Sequence, residues 1–195
     1  MDQGGNHFRK DNHVFHSLRR IAQRLNDLNL PYAVVGGLAL FEHGFERFTT
    51  DVDLLVTADA LKVIHDRLEG LGYLPPFSGS KQLRDTDNGV RIEFLVTGAF
   101  PGDGKPKPVA FPDPVEVGIE SDGITYINLP TLIELKLASG MTGGVHRLKD
   151  FGDVVALMKA RALTADFTDQ LNPYVRDRYL ELWRGLQEPD PQTGI

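Results

Sequence analysis

The sequence predicts an α/β (α+β) fold, a short mixed β-sheet flanked by helices, with a helical portion at the C-terminal end. Three observations predict it. Short apolar runs closed by glycine or proline alternate with helical patterns through residue 128. Two of those runs, Asp51–Val56 and Val90–Val96, alternate with period two, as half-buried strands do. Beyond Pro130 the apolar residues recur only at helical spacing. The expected division is residues 1–128 as an α/β core with an N-terminal helix and residues 129–195 as the helical portion. At 195 residues, 41% hydrophobic and 25% charged, the chain can bury one substantial core with an added subdomain.

Taken in order, Val14, Phe15, Leu18, Ile21, Ala22, Leu25 and Leu28 make one apolar face of a helix over 12–28, and Arg19, Arg20 and Arg24 lie on the other. Pro31 opens a strand, Tyr32 to Val35, which Gly36 and Gly37 end before a helix from Leu38 to His43. Asp51 to Thr57 is the next strand, and Thr57 or Asp59 caps a helix from Ala60 to Leu71. Asn88-Gly89 signals a hairpin ahead of the strand Val90 to Thr97. Gly98 to Pro114, with five prolines and three glycines, reads as a long loop. A strand pair is expected at Val115–Ile119 and Ile124–Asn128, then helices over Leu132–Ser139, from Val145 or Leu148 to Leu163, and over Pro173–Gly185, with a frayed tail from Glu188.

Bulk properties narrow the function. No apolar stretch approaches the roughly 20 residues that a spanning helix needs, so no membrane association is expected. The first residues carry no secretory pattern, which makes a cytoplasmic location the expectation. Without cysteine, thiolate metal sites and cysteine nucleophiles are excluded. A formal charge of −6 disfavours nonspecific coating of nucleic acid.

The chemistry concentrates in two strands. Asp51-Val52-Asp53-Leu54-Leu55 and Arg91-Ile92-Glu93-Phe94-Leu95 share a pattern, so pairing them brings Asp51, Asp53 and Glu93 to one face. Three such carboxylates repel one another and call for a cation, and oxygen-only ligands favour Mg²⁺ or Mn²⁺ over zinc. Carboxylates two apart on a strand, about 6.6 Å along it, can flank two metal ions about 3.5–4 Å apart. Gly36 and Gly37 at a strand-to-helix turn allow a phosphate to approach the backbone. Arg47 can add a cation for a triphosphate, and Thr49 or Thr50 a hydroxyl. The plainer alternatives are a simple turn at the diglycine, an exposed edge face for the aspartates and a solvated Arg91–Glu93 pair.

Gly36-Gly37, Arg47, Thr50-Asp51-Val52-Asp53-Leu54-Leu55 and the later acidic strand together resemble the nucleotidyltransferase superfamily, the polymerase-beta-like fold. The stretch Leu129 to Leu137, with Arg147, Asp150 and Asp153, looks like the helical half of bacterial AbiEii-type nucleotidyltransferases. The resemblance spans about Tyr32 to Met158. It implies Mg²⁺-dependent transfer of a nucleotide monophosphate from an NTP to a hydroxyl or phosphate of tRNA, a protein or a small molecule, with a cognate toxin or antitoxin as partner. Asp51, Asp53 and Glu93 would be catalytic and metal-binding; Gly36, Gly37, Arg47, Thr50, Lys136 and Asp150 would contact the nucleotide. The family more often has aspartate where this chain has Glu93, and Asp85 or Asp87 are substitutes for it. Lys136 can instead snorkel from a buried helix, and Asp150 and Asp153 can form a structural ion-pair network. The alternative function is a noncatalytic nucleotide- or partner-binding module of antitoxin type.

Overall fold

Helix α1 (His13–Asp27) lays Val14, Leu18, Ile21 and Leu25 against one face of a seven-stranded sheet. The computed structural model describes residues 13–188, so the start of the predicted first helix at Asn12 and the tail from residue 189 lie outside the described residues. The described chain divides into two compact units. The first holds residues 13–39, 47–97 and 112–127; the second holds 40–46, 98–111 and 128–188.

The sheet belongs to the first unit. Its strands are β1 (Tyr32–Val34), β2 (Asp51–Val56), β3 (Tyr73–Leu74), β4 (Gln82–Asp85), β5 (Arg91–Val96), β6 (Gly118–Ser121) and β7 (Ile124–Ile127), in the order β3-β4-β5-β2-β1-β7-β6. Two neighbouring pairs, β2 with β5 and β1 with β7, run parallel, and the rest antiparallel. The sheet is therefore mixed, with helices against it, as the alternation of patterns predicts. Val52, Leu54 and Val56 of β2 and Ile92 and Phe94 of β5 join α1 and α3 (Ala58–Leu68) in one core. Each such side chain contributes about 1.5–3 kcal/mol by leaving water. The alternate residues of the same strands lie on the opposite face, where Asp51, Asp53, Arg91 and Glu93 are accessible and Leu55 is buried, and this fixes where the chemistry can lie.

Local signals explain most of the boundaries. Thr57 caps α3, its hydroxyl accepting from Ala60 N at 3.1 Å. The Asn88-Gly89 signal sits in a four-residue connection from Asp85 to Val90, where Gly89 takes φ +76° and Asn88 Oδ1 accepts from Val90 N at 3.1 Å. Strands β3 and β4 carry no sequence expectation, being two and four residues long, too short for a period to register. The expected strand at Val115–Ile119 is corrected: residues 114–117 form the short helix α4 (Pro114–Val117), and strand β6 begins at Gly118. The cause is the pair Asp113-Pro114, a cap whose side chain accepts from Val115 N at 2.9 Å and a proline pre-set for the first turn.

In the second unit, α5 (Leu129–Thr142), α6 (Leu148–Ala160) and α7 (Pro173–Gln187) pack together. Helix α5 begins three residues before the expected Leu132, because Asn128 caps it and Pro130 is accommodated in the first turn. Residues 98–113 are free of helix and strand, as expected. Gly98 N to Phe111 O and Phe111 N to Ala99 O, each 2.8 Å, close the base of this loop. No helix among the described residues is long and apolar enough to cross a membrane.

Candidate active site

The register of β2 on β5 sets Asp51 opposite Arg91 and Asp53 opposite Glu93. Neighbouring strands lie about 4.8 Å apart and residues two apart project alike, so these four side chains share one face. All four are at least partly accessible, whereas Val52, Leu54, Ile92 and Phe94 between them are buried. The placement of Asp51, Asp53 and Glu93 on a common face follows from that pairing.

Gly36 completes this surface from β1's end. It takes φ +62°, and a Cβ there would come within 1.9 Å of Asp53 Oδ2. Only glycine lets the turn pass under the carboxylate. Val35 N donates to Asp53 O at 2.9 Å, tying the end of β1 to the Asp53 backbone. A Cβ on Gly37 would meet Thr49 Cβ at 2.8 Å, and Thr49 Oγ1 donates to Asp51 O at 3.3 Å. The segment before β2 is thus folded onto the diglycine. Of the two threonines considered, Thr49 makes this contact and Thr50 is exposed, while Arg47 is half-buried.

Asp51 has Arg91 as its partner, the arginine that the plainer alternative paired with Glu93. Arg91 Nη2 donates to Asp51 Oδ2 at 2.6 Å. The hydrogen bond to Asp51 holds the Arg91 guanidinium more firmly protonated than usual. The shared charged-apolar-charged pattern held the signal for this pair, since aligning Asp53 with Glu93 also aligns Asp51 with Arg91.

The donor chemistry of this face suits a hard divalent cation, because carboxylate oxygens on two adjacent strands are what Mg²⁺ and Mn²⁺ take. Yet among the described residues no group of three His, Asp or Glu side chains is gathered closely enough to hold a metal ion. The fit is one of donor type and face, with Arg91 as the cation that meets Asp51.

Asp85 and Asp87, the substitutes considered for Glu93, lie elsewhere. Leu83 of β4 pairs with Ile92, so Asp85, two residues on, faces the helix-covered side. There its buried carboxylate accepts from Ser17 Oγ at 2.8 Å, Arg20 Nη1 at 2.9 Å and Asp87 N at 3.0 Å. Arg20 also pairs with Asp87 and lies 5.8 Å from the centre of the Tyr73 ring. These are contacts that fix α1 to the β4–β5 hairpin.

Lys136 and Asp150 belong to the helical unit, on α5 and α6. Lys136 Nζ donates to Asp153 Oδ2 at 2.6 Å and to Asp150 Oδ1 at 3.2 Å, and Ser139 Oγ donates to Asp150 Oδ2 at 2.7 Å. All four residues are buried. One ammonium between two carboxylates, with a hydroxyl on the remaining oxygen, forms a nearly dry cluster joining the two helices.

Compared with known proteins, the sequence matches no family model and no curated protein. Its structure is similar to the antibiotic-resistance factor ANT(2'')-Ia. With the solution structure of that protein the TM-score is 0.51 at 14% identity, covering 88% of this chain and 96% of that one. With its crystal structure in complex with adenylyl-2''-tobramycin, the values are 0.55, 13%, 86% and 97%. A proposed nucleotidyltransferase from Thermotoga maritima gives a TM-score of 0.50 at 19% identity over 71% of this chain and 91% of that one. At such identities the likeness is one of architecture. The sheet, its flanking helices and these matches agree: the chain has a nucleotidyltransferase-like fold.

Proposed function

We propose that the protein is a Mg²⁺-dependent nucleotidyltransferase that moves a nucleotide monophosphate from an NTP to an acceptor hydroxyl or phosphate. The observation that carries this reading is the alignment of Asp51 and Asp53 with Glu93 on one sheet face, with Gly36 pressed under the Asp53 carboxylate. Asp51 and Asp53 hold the cation, and Glu93 completes the acidic set and takes the proton of the acceptor. When bound, Mg²⁺ (or Mn²⁺) neutralises the triphosphate and the charge that develops on it during transfer. Gly36 and Gly37 let the phosphates approach the backbone; Arg47 and Thr50 supply a charge and a hydroxyl beside them. The acceptor oxygen forms its bond to the α-phosphorus as the bond to pyrophosphate breaks.

The finer reading, kinship with AbiEii-type proteins with a toxin or antitoxin partner and nucleotide contacts by Lys136 and Asp150, rests on sequence resemblance alone. Within their own unit those two side chains are engaged with each other. For the acceptor, two cations that could have met a polyanion such as tRNA are engaged with acidic groups of this chain. Arg20 is paired with Asp85 and Asp87, and Lys107 donates to Asp103 Oδ1 and Pro101 O, each at 2.6 Å. This weakens the case for tRNA beside a small hydroxylated molecule, a class that the adenylyl-tobramycin bound to ANT(2'')-Ia illustrates. Incubating the purified protein with each α-labelled NTP, Mg²⁺ and either aminoglycosides, total tRNA or lysate should give label transfer that the Asp51→Asn/Asp53→Asn double variant loses. Equal transfer by the double variant would sink the reading.

One observation favours the noncatalytic alternative. Asp51 is neutralised by Arg91, which is how a binding module without metal would balance the charge. Calorimetry with millimolar NTP and Mg²⁺ separates the two, since binding lost in the same double variant supports the enzyme.

A further inference from the structure

Arg91 is a cation that reaches Asp51 of the acidic pair. It sits opposite Asp51 in the parallel ladder, with its Nη2 2.6 Å from Asp51 Oδ2. Arg84, opposite Arg91 on the next strand, instead donates to Gly89 O in the hairpin connection at 3.0 Å. Asp51 and Arg91 are 27% and 44% exposed at their side chains, so solvent and ions reach both. An arginine cannot shed its charge to make room for a metal ion; it can only turn away.

We propose that Arg91 is a resident counter-cation that competes with a divalent metal ion for Asp51. The carboxylate pair then binds metal weakly until nucleotide phosphates offer the guanidinium another partner. This rests on the metal-site reading of Asp51 and Asp53 given above. The fork of Arg91 suits a phosphate as well as it suits a carboxylate, so the exchange conserves its hydrogen bonds. The arrangement makes metal and nucleotide arrive together, and in their absence it neutralises one of the three carboxylates of the face.

The test is Mn²⁺ binding by the whole chain without nucleotide, followed as loss of the free-ion electron paramagnetic resonance signal. Arg91→Gln should bind Mn²⁺ about fivefold more tightly than the parent, the span expected for an accessible ion pair. Arg91→Lys, which keeps the charge, should stay near the parent, and Arg91→Gln/Asp51→Asn should bind no better than Asp51→Asn. Equal or weaker binding by Arg91→Gln, with Asp51→Asn still impaired, overturns the competition and leaves the metal site standing. No Mn²⁺ binding by any of these proteins at millimolar ion overturns both. Thermal unfolding of each variant establishes that the comparison is between folded proteins.

Discussion

Gly36 and Asp53 are matched in shape: the carboxylate of one occupies the space that any side chain on the other would need, with Oδ2 1.9 Å from the position of a Cβ. Gly36→Ala therefore meets two penalties, a left-handed backbone at φ +62° and a collision with Asp53. A loss of about 2 kcal/mol or more is expected in urea unfolding, together with weaker Mn²⁺ and NTP binding. Asp53→Ala in the same background removes the collision and should recover part of the stability without recovering binding. A Gly36→Ala protein as stable as the parent would contradict this packing.

Asp85 should behave as the opposite of Glu93. Asp85→Ala removes the buried acceptor shared by Ser17 and Arg20 at the α1–hairpin junction, leaving them Asn88 and Asp87, and should cost about 2 kcal/mol. Glu93→Gln, on the accessible face, should change stability by less than about 0.5 kcal/mol while lowering label transfer at least tenfold. Both are read by denaturant unfolding and by transfer assays at a temperature where the two variants are folded.

Lys136 is held between two buried carboxylates, so Lys136→Met leaves both without their cation. It should destabilise the chain by about 3–5 kcal/mol. Lys136→Met/Asp150→Asn/Asp153→Asn, which removes all the charge together, should recover most of that loss in thermal unfolding. If the triple variant is stable yet has lost NTP affinity, Lys136 and Asp150 also serve the nucleotide; if affinity is retained, they serve the helices alone.

Tyr73 is fully buried, and its hydroxyl has no hydrogen-bond partner among the described residues. Tyr73→Phe is expected to leave stability unchanged or raise it by about 1 kcal/mol. Burial pushes its phenol up to about 12. Because the folded phenol ionises later than an unfolded one near 10, its contribution is full below pH 10 and is lost as the pH rises through 12. The alkaline unfolding midpoint of Tyr73→Phe should thus shift upward, measurable by circular dichroism across pH 9–12.

The strands that carry the acidic residues were legible because each alternates over six residues and repeats the other's charge pattern. The α1 helix and the three C-terminal helices were legible from their periodicity, and the diglycine from its place between two elements. The short strands β3 and β4 were not, since pairing with β5 makes them strands more than their own composition does. The helix at Pro114–Val117 was hidden by β-branched residues that a capping aspartate and a proline override. At the site, the common face of Asp51, Asp53 and Glu93 was legible, whereas the Arg91–Asp51 pair was not, Arg91 having been considered only as a solvated partner of Glu93. Composition shows that a charge needs a partner, whereas register decides which one.

Asp51 and Arg91 touch across strands whose residues are 40 apart in the chain. The acidic face consequently depends on a non-local strand pairing. A chain that has formed β1, α2 (Gly36–Glu42) and β2 has the diglycine turn and two aspartates but no partner strand, and the face appears only when the excursion through α3, β3 and β4 has closed. A nascent or clipped chain lacking β5 would retain the Gly-Gly and Asp-x-Asp sequences intact, yet would lack both Glu93 and the arginine that meets Asp51.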